Sequence, residues 1–128
     1  MLQSSRSYQF MIDIAQYGWL GILFALFIGH AIADYPLQHE FMAQAKQPKY
    51  WKEVKSSKGF EWVFVLAFHC FIHGGAVWLL TGSLLLGLIE TVLHFLIDVA
   101  RNQERICFIS DQLLHLGCKV GYLIFLFA

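Results

Sequence analysis

The sequence predicts an all-α membrane protein: a bundle of four transmembrane helices with a cytoplasmic amphipathic segment between the first and second. Three observations carry this. Apolar residues make up 58% of the 128 and charged residues 14%, with a mean hydropathy of +0.57, so little polar surface remains to face water. The apolar residues gather in four runs, each of bilayer-crossing length. Inside those runs, ionisable residues recur four positions apart: His30 and Asp34, His69 and His73, Glu90, His94 and Asp98, Asp111 and His115. A chain of this length is one domain, residues 1–128.

Residues 1–7 are polar and are expected to fray. Nothing breaks a helix from Tyr8 to Ala33, and the part from Tyr17 onward is long enough, at about 1.5 Å per residue, to cross most of a bilayer. Its end, Ala31-Ile32-Ala33, imitates a signal-peptide cleavage site, but Arg6 is a meagre basic flank and cleavage there would remove His30. Pro36 interrupts the span and restricts Tyr35 before it.

Leu37 to Lys58 interleaves Phe41, Met42, Tyr50 and Trp51 with five lysines. That pattern suits a segment lying along a headgroup surface, and a solvated loop is the plainer alternative. Phe60 to Leu80 is the second span. Thr81-Gly82-Ser83 is a tight turn, so the third span, Leu84 to Ala100, returns antiparallel beside the second. Arg101 to Arg105 links it to the fourth, which runs from Ile106 to the last residue. The links after spans one and three hold seven of the nine Lys and Arg, which places them in the cytoplasm and both termini on the opposite side.

With that topology all four polar pairs fall in the cytoplasmic half of the bilayer. Groups this costly in hydrocarbon face inward and find partners. Side chains at i and i+4 lie one above the other on a helix, which is how bundles present ligands to a metal from facing helices. His30, Asp34, His69, His73, His94, Asp98, Asp111 and His115 are the expected ligands. A single histidine in such a helix is more often an interhelical hydrogen-bonder, whereas paired imidazoles at helical spacing favour ligation. Imidazole and carboxylate without thiolate suit zinc, manganese or iron. The four carboxylates Asp34, Glu90, Asp98 and Asp111 match two divalent cations if all are ionised; one ion with hydrogen-bonded partners around it is the alternative.

Glu90 lies deepest and reads as a general base or a neutral hydrogen-bond donor. Lys119, at i+4 from His115, would hold a substrate phosphate or pair with a carboxylate. Gln38 and His39 read as surface residues, Gln38 with a weak claim to the site's outer shell. Cys70, Cys107 and Cys118 show no C-x-x-C spacing and read as helix-packing residues. A net charge of zero gives no footprint for nucleic acid.

The strings His30-Ala31-Ile32-Ala33-Asp34, His69 to His73, Glu90 to Asp98 and Asp111-Gln112-Leu113-Leu114-His115 resemble a family of small bacterial and phage integral membrane proteins catalogued as a domain of unknown function. The resemblance implies a compact membrane bundle in a bacterial or phage-encoded inner membrane protein and carries no activity. The motif spacing is loosely similar to intramembrane metal-dependent hydrolases.

Three functions are open at this point. A metal-dependent hydrolase would act on a lipid or lipid-linked substrate through a metal-activated water, with Glu90 as base and Lys119 on the head group, because no serine or cysteine nucleophile stands beside a base. A transporter or sensor of protons or metal ions would need a polar path across the whole membrane. A structural or interaction protein stapled by a metal would have a site closed by protein ligands. Membrane lipids are the expected surroundings, and a homo-oligomer is compatible with all three.

Overall fold

The computed structural model describes residues 16–55 and 57–128. The expectations for residues 1–7 and for a helix beginning at Tyr8, and the count that uses Arg6, lie in whole or part outside them. The described residues form six helices and no strand: α1 Gly18–Asp34, α2 Glu40–Ala45, α3 Pro48–Lys52, α4 Glu61–Thr81, α5 Leu84–Asn102 and α6 Phe108–Phe127.

Each helix boundary has a local cause. After Asp34 the chain meets Pro36, and Gln38 donates from its side-chain amide to the Asp34 carbonyl at 3.1 Å, satisfying an otherwise orphaned acceptor at the end of α1. α4 stops at Gly82, whose φ of 71° is the left-handed conformation that glycine adopts without strain. One residue later Ser83 caps α5 by accepting from Leu86 N at 3.3 Å. The turn is therefore as tight as its sequence suggests, and α4 packs more extensively on α5 than any other pair of helices does.

That hairpin is close because both helices lack a side chain where they cross. A Cβ added at Gly74 would lie 2.6 Å from the Gly87 carbonyl oxygen, and one at Gly87 would lie 2.7 Å from the Gly74 carbonyl. Small residues at such a crossing let backbones approach. The other contacts close a ring, with α1 against α4 and α6, and α6 against α5. Helices α2 and α3 pack over the end of α4 as a short strap. It is the expected segment between the first two long helices, broken in two before Pro48.

α4 is long and apolar enough to cross a membrane. α1 is apolar but has 17 residues, and α5 and α6 interrupt their apolar runs with Glu90, Asp98, Lys119 and other polar residues. The bundle's interior has two unlike halves. Ile22, Leu26, Val77, Leu86, Tyr122 and Leu123, drawn from all four long helices, form an apolar cluster at one end. Toward the end where α1 and α5 finish and α4 and α6 begin, the buried residues are His30, His69, His73, His94, Asp98, Asp111 and His115, with Glu90 and Lys119 between the halves.

Candidate metal centre

Helical periodicity brings the polar side chains inward. On α5 Glu90, His94 and Asp98 are each buried while Leu88, Val92 and Leu96 are exposed, so one stripe faces the bundle axis and the other its surroundings. The same division holds on α4 and α6. Four inward stripes at one depth meet in a single cluster.

Asp34 is a hub of that cluster. Its Oδ1 lies 3.0 Å from His73 Nε2 and 3.5 Å from His69 Nε2, and its Oδ2 lies 3.3 Å from His30 Nε2. Asp98 is the second hub, with Oδ1 3.3 Å from His115 Nε2 and 3.8 Å from His94 Nε2. His73 and His94 stack with ring centroids 3.7 Å apart, and His94 and His115 at 3.9 Å.

Three sets of potential ligand atoms lie within 4.8 Å of one another. One is His30, His73, Glu90 and His94, the next is Asp34, His69, His73 and His94, and the last is His94, Asp98 and His115. His94 belongs to all three. Buried His/Asp/Glu groups of this kind can hold a metal ion. Cys70, though buried on α4, enters none of the sets.

Polar bookkeeping points the same way. Among the described residues, His69 Nδ1 and Nε2, His94 Nε2, His30 Nδ1 and Asp111 Oδ1 are buried without a hydrogen-bond partner. Buried polar atoms are rarely left so, and imidazole nitrogens in this condition beside carboxylates suit a cation.

Seven of the eight expected ligands are in these sets. Asp111 is the eighth and stands to one side, 3.5 Å from His115 Nε2 and accepting from the Gln112 amide at 3.1 Å. Glu90, expected as a base, joins a ligand set. It is also held by Lys119, whose ammonium donates to Oε1, and by Tyr122, whose hydroxyl donates to Oε2 at 2.6 Å. Lys119 thus pairs with a carboxylate, one of the two roles expected of it, and it is 1% exposed and faces the interior.

Three residues escaped the sequence reading. Gln112 ties α6 to α1, donating to Asp34 Oδ2 at 3.2 Å and standing 3.4 Å from His30 Nε2. Tyr122 is one helical turn beyond Lys119 and supports Glu90 from the apolar side. Lys46, on the strap, donates to Asp98 Oδ2 at 2.9 Å. Gln112 beside Asp111 was the one visible signal. His39 is an exposed cap of α2, accepting from Met42 N at 3.4 Å.

A cavity of about 560 Å³ opens over the cluster, with Asp34, Asp98, Asp111 and Gln112 on its floor and the strap along one wall. Glu90 and Lys119 do not line it.

A helical bundle around a buried set of imidazoles and carboxylates defines the class: a candidate metal-binding helical protein. The chain belongs to the family described as Protein of unknown function (DUF3307), whose family model matches residues 22–127. No curated protein matches it, and no solved structure does.

Proposed function

We propose that the protein is an integral membrane metal-dependent hydrolase, with four membrane-crossing helices and its site in the cytoplasmic half of the bilayer, acting on a lipid or lipid-linked substrate. The observation that carries this is the convergence of partnerless imidazole nitrogens and carboxylates beneath an open cavity.

Membrane residence is supported by an inverted distribution of side chains. Within the four long helices five imidazoles together with Glu90, Asp98, Asp111 and Lys119 are buried, while Phe24, Phe64, Phe68, Phe71, Leu88 and Phe125 are among the many large apolar residues exposed. Soluble monomers rarely present contiguous apolar surface on that scale. In this reading the seven Lys and Arg between Leu37 and Lys58 and between Arg101 and Arg105 favour a cytoplasmic position for that end of the bundle, with the end of α6 on the far side.

The charge balance favours one ion. Lys46 neutralises Asp98 and Lys119 neutralises Glu90, leaving Asp34 and Asp111 to match a single divalent cation, with zinc, manganese or iron suited to the donors. Such an ion, when bound, would polarise a substrate oxygen and acidify a water. The chain's own residues do the rest. Asp111, with a buried and partnerless Oδ1 on the cavity floor, accepts the proton of the attacking water. Gln112 orients Asp34 and Asp111, and Glu90, steadied by Lys119 and Tyr122, fixes His94 through Nδ1 at 3.2 Å. This last arrangement is a carboxylate orienting a ligating imidazole.

Two rival readings lose support from specific features. A transport path would have to pass the apolar cluster of Ile22, Leu26, Val77, Leu86 and Leu123. A purely structural metal would be closed by protein, whereas this cluster meets a cavity. Elemental analysis of detergent-purified protein tests the reading: about one divalent ion per chain is expected, lost in His69→Ala and in Asp98→Ala. Metal-free wild-type protein that refuses added zinc, manganese and iron would sink it.

A further inference from the structure

The cavity over the cluster has a rim whose chemistry differs from its floor. Its buried floor is carboxylate and amide, but Lys49, Lys52 and Arg101 stand exposed around its mouth, and Lys46 reaches in from the same side. Among the described residues Lys49, Lys52 and Arg101 make no ion pair, so their charge is available. Glu104 is the opposing carboxylate on the rim.

The strap that carries the three lysines is held in place by construction. Asn102 on α5 donates to the Lys46 carbonyl at 2.8 Å, and Trp51 donates from its indole to the Ala45 carbonyl at 2.7 Å. Ala45 is fully buried. The strap is thereby pinned across the bundle's end, and Tyr35 and Phe108, exposed residues of the cavity lining, give the mouth an apolar edge for the headgroup boundary. A mouth of cations above a metal-ligating floor, bordered by apolar residues, matches an anion attached to a hydrophobic tail.

We propose that this rim recognises a phosphoester: Lys46, Lys49, Lys52 and Arg101 bind the phosphate oxygens and seat phosphorus over Asp34, Asp98 and Asp111. This deepens the hydrolase reading above and rests on it. Lys46 has the distinctive part. Its ammonium neutralises Asp98 where both residues line the cavity, and from there it faces the phosphate as well, serving the carboxylate and the anion together.

The step balances without another reactant. The oxygen of water forms a bond to phosphorus and the ester P–O bond breaks. The water proton passes to Asp111 and then to the departing alkoxide, leaving an alcohol and a phosphate. Phosphate on a lipid head group and soluble phosphate share this chemistry.

The test uses the full chain in phosphatidylcholine nanodiscs loaded with zinc. Metal content is read by elemental analysis, and anion binding through tryptophan fluorescence during titration with inorganic phosphate. Parallel nanodiscs carry phosphatidic acid or diacylglycerol. Wild type should bind phosphate saturably, and Lys49→Gln with Arg101→Gln should weaken that binding about tenfold or more while metal content stays the same. Lys46→Met should weaken it too, and Glu104→Gln should tighten it. Phosphatidic acid that competes with inorganic phosphate where diacylglycerol does not identifies a lipid phosphate as the source; free phosphate binding without that competition identifies a soluble one. Metal-loaded protein that binds no phosphate, or binds it equally in the rim variants, overturns this proposal and leaves the hydrolase reading standing. Failure to hold metal removes that reading first.

Discussion

The two ends of the bundle interior obey different rules. At the apolar end, Leu26 and Leu86 are buried at 1% and 2% among other aliphatic side chains, and shape alone holds the helices together. At the polar end, His69 and His94 are buried just as fully, yet three of their nitrogens have no hydrogen-bond partner among the described residues. Equal burial with unequal satisfaction sets the polar end apart from a packing core and is what a cation would resolve. Under the membrane placement proposed above the distinction sharpens, since apolar side chains gain little by leaving one hydrocarbon for another, while imidazoles and carboxylates gain greatly by leaving it.

The largest test of that contrast lies where the halves meet. Lys119→Met leaves the Glu90 carboxylate buried beside Tyr122 and His94 with no cation, and removing one partner of a buried pair costs about 3–5 kcal/mol. Detergent-solubilised protein should show that loss in a denaturation midpoint. Adding Glu90→Gln should recover most of it, because the pair is then removed together. No recovery would mean that Lys119 acts by packing alone.

A smaller effect with the opposite signature is expected within the apolar cluster. Leu26→Ala should destabilise by about 2–4 kcal/mol through lost contacts and a residual cavity. Metal stoichiometry should stay at the wild-type value. Loss of metal in Leu26→Ala without unfolding would show that the two ends are coupled and that the division drawn between them is false.

The same division explains what could be read ahead of the structure. Positions four apart share a helix face by geometry alone, so the inward stripes on α1, α4, α5 and α6 were legible, and so was the turn at Gly82. Lys46 was not, because its bond to Asp98 spans 52 positions and depends on how the strap folds over the bundle. The strap's lysines looked alike, and it is the folded strap, with Asn102 on the Lys46 carbonyl, that directs one of them to Asp98. Glu90 and Lys119 are 29 positions apart on facing helices. Their pairing depends on the rotation of α6 against α5, which no repeat within either helix specifies.

The smallest effect comes from a residue that belongs to both ends. The Tyr122 ring is part of the apolar cluster, and its hydroxyl donates to Glu90 Oε2. Tyr122→Phe keeps the ring and removes only the bond. A hydrogen bond to a charged acceptor contributes about 1.5–3 kcal/mol, but Lys119 still neutralises Glu90, so the expected loss is at the lower end, about 1.5 kcal/mol. Metal should remain bound, since His94 retains its contact with Oε1. Metal affinity falling about tenfold or more in Tyr122→Phe would instead mean that the hydroxyl sets the position of Glu90 and, through it, of His94. The boundary between the halves would then lie one layer further into the apolar end.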